Sequence, residues 1–295
     1  MRLGDEDPSG NFIDRTGQSG GGGFGLGGGG GNMLGCLLPL VASRFGMIGV
    51  VVLLLGYCAL SSLGGGGGGG LIPTGAPTQS SPAGQSNLDP NVRDVLTRVL
   101  GSTERRWTDI FSRSGVQYRP TTMVAYSNND QSGCGAAQAA MGPFYCPTDQ
   151  RIYIDPQFFS ELSSKYGAPG DFAMAYVIAH EVGHHVQNLE GTLDKAQAAQ
   201  SRLGRAEGNA VQVGVELQAD CYAGVWAAND KNLMEPGDLE EGLRAAQAIG
   251  DDTLQQQTQG RVRPESFTHG SSAQRMAALR RGLETGDPTQ CRFNT

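Results

Sequence analysis

The pentapeptide His180-Glu181-Val182-Gly183-His184 constrains this chain more than any other stretch of it. Residues i and i+4 of an α-helix project from nearly the same face, so a helix here sets two imidazoles side by side with a carboxylate next to the first. Such a pair grips a divalent metal while the glutamate points at the water on it, the layout of a zinc hydrolase. The run 170–179 leads into the motif with Asp171 placed to cap a helix and no proline before Gly183, and Met174, Val177, Ile178 and Val182 form an apolar stripe. A buried helix over 171–188 is therefore expected.

A catalytic zinc site takes three protein ligands and leaves a fourth position open. The metzincin pattern would place glycine at 187 and histidine at 190; the chain has Gln187 and Glu190, so that reading fails. The segment Val215-Glu216-Leu217-Gln218-Ala219-Asp220 offers another third ligand, on a helix expected over about 206–229. Glu216 and Asp220 share a face, so Glu216 is expected to reach the metal and Asp220 to accept the ring N–H of a ligating histidine, which sets its tautomer. Carboxylates at this spacing ordinarily mark a solvated helix face. Here Val211, Val213, Val215, Leu217, Cys221, Val225 and Trp226 surround them, and buried carboxylates need partners.

Two histidines remain. His269 precedes a helix expected to be capped near Ser271. Its imidazole is expected to steady the oxyanion of a tetrahedral intermediate, with Arg275 orienting the substrate or the carboxylates of the site. A purely structural hydrogen bond is the alternative for a loop histidine. His185 falls on a different helix face from the 180/184 pair and is expected to pack or donate a hydrogen bond.

From about Leu88 onward the chain resembles the bacterial neutral zinc metallopeptidase family, a group of membrane-anchored proteins. The resemblance is carried by Gly133-Cys134-Gly135 through Met141-Gly142-Pro143-Phe144-Tyr145-Cys146-Pro147 and by the stretches 176–187, 216–226, 237–241, 248–252 and 266–275. It implies a gluzincin-like peptidase with one Zn2+ per chain, His180, His184 and Glu216 as ligands, and Glu181 as general base. The helix of Glu216 and Asp220 and the later His269 and Arg275 segment would complete the site. The chain departs from those relatives at Gly270, where they usually carry proline after the histidine. The implied substrate is a protein or peptide. The alternatives are a membrane-tethered, zinc-containing binding or assembly factor without turnover, and hydrolysis of a non-peptide amide.

Of 46 glycines, 24 fall within the first 70 residues, which leaves about 200 residues for one globular domain. The run 20–32 offers almost nothing to bury, so residues 1–44 are expected as a disordered, Gly-rich cytoplasmic tail. Residues 45–63 then run without a charge, long enough for a transmembrane signal anchor. Arg44 abuts that run, and no Lys or Arg follows it until Arg93. The positive-inside rule thus predicts a single-pass protein of the inner (plasma) membrane, N-terminus cytoplasmic and catalytic domain periplasmic or extracellular. Cleavage near Ala59-Leu60-Ser61 is the rival, disfavoured by the 44 residues that precede the apolar run. A Gly/Pro/Ser linker over 64–87 leads to the metallopeptidase domain, 88–295.

Cys36 and Cys58 lie in or near the membrane segment. Cys134, Cys146, Cys221 and Cys291 remain for the exported part, an even number suited to two disulfides. Three pairings are possible, with Cys134–Cys146 and Cys221–Cys291 favoured. A net charge of −7 and the absence of a basic cluster argue against nucleic acid as a partner.

The expected fold is α+β, a mostly helical zincin-like domain with a small antiparallel sheet. Asp89-Pro90 reads as a cap and first turn opening a helix to about Ser114. Strands are expected over 121–126 and 151–155, with 144–154 a hairpin whose edge either pairs with an extended substrate or merely covers the core. Further helices are expected at about 156–165, 192–202, 237–249 and 271–284, the last with Arg280-Arg281 at its end near Gly282.

Overall fold

The computed structural model describes residues 1–18, 86–230 and 232–293. The expected anchor at 45–63, Cys36, Cys58 and nearly all of the linker lie outside the described residues. Among the described residues no helix is long and apolar enough to cross a membrane.

Four short strands, β1 (Phe12–Asp14), β2 (Thr122–Ala125), β5 (Phe144–Cys146) and β6 (Arg151–Ile154), form a sheet in the order β1-β2-β6-β5. The sheet is mixed, not antiparallel as expected: β1 runs parallel to β2 and β2 parallel to β6, while β5 and β6 form the anticipated antiparallel hairpin. The reason lies in the connections. The tight turn at 147–150 permits only an antiparallel return, whereas the chain between the other neighbours is long enough to cross over. A separate hairpin, β3 (Asn129–Ser132) with β4 (Gly135–Gln138), is tied to β5 by the disulfide Cys134–Cys146. Its polar residues carry no apolar alternation, which is why nothing in the sequence announced it.

The helices are α1 (Pro90–Arg113), α2 (Gln157–Ser164), α3 (Asp171–Leu189), α4 (Thr192–Gln200), α5 (Arg205–Asn229), α6 (Asp238–Ala248), α7 (Asp251–Gln259) and α8 (Ser272–Thr285). Asp89 caps α1 as anticipated, accepting from the amides of Asn91 and Val92, with Pro90 in the first turn. Ser271 caps α8 in a reciprocal box with Gln274. Two ends differ from expectation. Gly170, at φ 126°, precedes α3 and makes Asp171 its first residue instead of its cap. α8 runs past Gly282 and stops at Gly286. The polar α7 was not expected, because a helix with one large apolar residue shows no periodic stripe.

α3 sits at the centre, packed by α1, α5 and α6 and by strands β5 and β6, which is why it is buried on nearly every side. Two close approaches set the site. A Cβ on Gly183 would lie 2.9 Å from the carbonyl oxygen of Ala219, so the glycine inside the histidine motif lets α3 and α5 touch backbone to backbone. On the other side of α5, a Cβ on Gly282 would collide with the Cys221 carbonyl and one on Gly224 with that of Leu279, so α8 packs as tightly. The disulfide Cys221–Cys291 holds the C-terminal stretch against α5 at the same level.

Residues 1–18 correct the expectation of a disordered tail over 1–44. They belong to the same compact unit as residues 86–293, with β1 on the edge of the sheet and Met1 and Leu3 packed against the core. The sequence reading let the glycine run that follows decide the whole stretch, although the apolar residues Met1, Leu3, Phe12 and Ile13 lie before it.

Candidate metal centre

α3 carries His180 and His184 one turn apart, and their rings stand edge to face with centroids 4.7 Å apart. Across the Gly183 contact, α5 delivers Glu216, whose Oε2 lies 3.2 Å from His180 Nε2 and 3.5 Å from His184 Nε2. The three donor atoms fall within 4.8 Å of one another. Each ligand is held from behind. His180 Nδ1 donates to Asp220 Oδ1 at 2.7 Å, and that carboxylate also takes the Tyr176 hydroxyl at 2.6 Å and a two-pronged contact from Arg275, Nε and Nη2 each at 2.8 Å. His184 Nδ1 donates to Gln187 Oε1 at 2.9 Å, whose amide nitrogen is itself spent on Val215 O and Gln218 Oε1. Gln212 donates to the remaining Glu216 oxygen at 2.9 Å.

These partners decide the tautomers. Asp220 Oδ1 is the nearest partner of His180 Nδ1, ahead of the Arg275 Nη2 donor at 3.4 Å, and Gln187 Oε1 is that of His184 Nδ1, so both Nδ1 atoms carry hydrogen and both Nε2 atoms face a carboxylate. Three electron-rich atoms converging in a buried space repel one another unless positive charge stands between them. The electrostatics say the same. Although burial opposes a charged ring, the Asp220 carboxylate and its hydrogen bond, with Glu216, push His180 up to about 10. Against the same burial, the two histidines hold Glu216 well below the usual carboxylate range, and Arg275 with His180 holds Asp220 down to about 2. Two imidazole nitrogens, one carboxylate oxygen and an outer layer that orients each of them are a donor set suited to zinc.

The centre opens on a cleft of about 990 Å³ whose walls include Glu181, Phe144, Tyr145, Phe158 and His269. Glu181, beside His180 on α3, is nearly buried, and β5 borders the cleft. His269 is 53% exposed at the rim. Its loop is built on Asp251, the first residue of α7: one carboxylate oxygen accepts the amides of Thr268, His269 and Gly270 at 2.7, 2.7 and 3.1 Å, and the other lies 3.3 Å from His269 Nδ1. Although burial works against it, the side-chain and backbone bonds of His269 hold the Asp251 carboxyl below its ordinary value.

Of the residues expected at the site, His180, His184, Glu216 and Asp220 meet, with Glu181 beside them. Arg275, 3% exposed, grips the carboxylate of Asp220, the second of the two duties expected of it. His269 shares the cleft but stands apart from the metal cluster. His185 turns away, buried between the Tyr145 hydroxyl at 3.1 Å and the Arg119 carbonyl at 2.6 Å, a packing residue whose pKa burial lowers. Both favoured cysteine pairings are present. Sequence reasoning missed Gln187, used only to exclude the metzincin pattern, and also Tyr176, Gln212 and Asp251. The signal for Gln187 was its place on the helical face of His184, three residues on.

Similarity to known proteins agrees with this geometry. The chain is 44% identical to the uncharacterized protein YpfJ of Escherichia coli K12 over 299 residues, covering 99% of this chain and 98% of that one. It is 46% identical to the uncharacterized protein Mb2605 of Mycobacterium bovis over 188 residues, 59% of this chain and 62% of the relative. No solved structure matches. A family model described as "Putative neutral zinc metallopeptidase" matches residues 1–293, and with the donor set in place the chain belongs to that family.

Proposed function

We propose that this protein is a zinc-dependent endopeptidase acting on protein or peptide substrates, with one Zn2+ held by His180, His184 and Glu216. The observation that carries the reading is the convergence of two Nε2 atoms and a carboxylate oxygen at the floor of an open cleft, with Glu181 alongside. A zinc ion there supplies Lewis acidity toward a carbonyl and lowers the pKa of water from 15.7 toward about 7. Glu181 takes the proton of the attacking water and returns it to the departing amine. His269 lines the cleft with Nδ1 turned to Asp251, and in its imidazolium form, with hydrogen on both ring nitrogens, it would donate to the developing oxyanion. β5 is the last strand of the sheet beside the cleft, and its outer edge suits an extended peptide, giving affinity with little sequence preference.

Attachment to a membrane through residues 45–63 belongs to the same proposal, and the two disulfides support an oxidising compartment for the domain, periplasmic or extracellular. The rival reading, a zinc-containing binding or assembly factor without turnover, fits the donor set less well, because three protein ligands facing a cleft leave a position for a substrate. The deciding experiment is cleavage of an unfolded protein such as reduced casein by the purified full chain. Cleavage should stop with a chelator, return with zinc and be absent in Glu181→Gln. A wild-type protein that binds one zinc and cleaves nothing, or a Glu181→Gln variant with normal cleavage, overturns the proposal.

A further inference from the structure

We infer that residues 1–18 and 86–293 lie on the same side of any membrane this protein meets, so the apolar stretch between them does not act as a single crossing. The N-terminal segment is clasped along its whole length. Its strand β1 pairs with β2 through Phe12, Ile13 and Asp14. Gly101 on α1 exists to admit it: a Cβ there would collide with the Asp7 carbonyl and lie 3.1 Å from the Ser9 amide. Arg98 donates to the Glu6 carbonyl at 2.5 Å, Glu104 accepts from Ser9 and Asn11 at 2.7 and 2.8 Å, and Arg15 meets Asp130 at 2.9 Å.

The points where the chain leaves and rejoins this unit are neighbours. Ser86 donates to Asp14 at 2.6 Å, the Asn87 amide to the Thr16 hydroxyl at 3.1 Å, and the Asn87 side chain to the Thr16 carbonyl at 3.1 Å. Whatever residues 19–85 do, they start and finish at one spot on one face. A single passage of 45–63 through a bilayer would pull β1 and β2 into different compartments and leave the sheet with a bare edge. Cleavage near residue 60 would remove the covalent link between the segment and the domain it completes and leave only these noncovalent contacts to hold it. An even number of passages, or insertion without passage, preserves the sheet, and this replaces the single-pass orientation expected from Arg44.

The test uses the full chain in bacterial cells, with Cys36 and Cys58 changed to Ser and one reporter cysteine added. Gly10→Cys stands in open space within the N-terminal segment, and Val116→Cys is 53% exposed in the rest of the unit. Each is treated with a membrane-impermeant maleimide before and after permeabilisation. Matching behaviour is expected: both label in intact cells, or both only after permeabilisation. Labelling of just one in intact cells overturns the inference. A protease site placed at 74–79 gives a second reading. After cutting in mild detergent the N-terminal fragment should co-purify with the remainder, and clean separation of the two overturns the inference equally. Neither result depends on peptidase activity, so failure here leaves the proposed function standing.

Discussion

The floor of the cleft and its rim solve different problems with the same residue types. At the floor, His180 is backed by Asp220, itself gripped by Arg275 and Tyr176, all fully or nearly buried. At the rim, His269 is backed by Asp251, but the imidazole is half in solvent and among the described residues no arginine pairs with the carboxylate. A ligand set must hold three repelling atoms in place before the metal arrives, and that calls for a rigid, charge-balanced backing. A group that meets a substrate must admit it and let it go. Floor variants should therefore alter metal content and stability, rim variants turnover alone.

The largest effects should come from the ligands. Glu216→Ala or His184→Ala should abolish stoichiometric zinc, read by metal analysis of the purified protein; retention of one zinc per chain by both variants would break the comparison at its base. Next, Asp220→Ala strands the buried Arg275 and should cost about 3–5 kcal/mol of stability, together with a loss of about 10–100-fold in zinc affinity measured by chelator competition. Gln187→Ala, which removes a neutral partner of His184, should lie at the low end of that affinity range with a smaller stability loss, sharpening the contrast between charged and uncharged backing. At the rim, Asp251→Asn and His269→Ala should leave zinc content unchanged while kcat falls by about 10²-fold; a matching fall in zinc affinity would erase the distinction between floor and rim.

The smallest effect concerns the N-terminal ammonium, which lies 3.2, 3.0 and 3.3 Å from Asp171, Glu235 and Asp238 at the start of α3 and α6. Burial opposes its charge, yet the hydrogen bonds to Glu235 and Asp171 and the nearby carboxylates push it from 8.0 to about 10. A raised folded pKa means the contribution is complete below pH 8 and is lost as pH climbs through 10. Because Asp171 and Glu235 are 41% and 42% exposed, solvent screening keeps the change small. A slight fall in Tm between pH 8 and 10, absent after acetylation of the amine, is the expected result.

The candidate site was readable to a depth set by locality. The 180/184 pair, Glu181 and the 216/220 pair follow from helical spacing alone, as do the caps at Asp89 and Ser271. His269 and Arg275 were readable as a loop histidine before a capped helix and an arginine within it, and there the structure divides their duties: one stands at the rim, the other is locked to Asp220. A single amide or carboxylate carries little local signal: Gln187 had only its place on the helical face of His184, and Asp251 had none. Their meaning appears only when α5 meets α3 and the loop 268–270 folds back onto α7.

The amino-acid sequence by itself determined that one helix presents two imidazoles and another two carboxylates, since a 3.6-residue period is a property of each segment alone. It also held the glycines at 183, 224 and 282 that allow those helices to touch. Only the tertiary structure decided which faces met, that the sheet is mixed, and that the first 18 residues complete it. Strand pairing across so long a stretch of chain is a contact between distant segments, and a three-residue strand leaves no local pattern from which to read it.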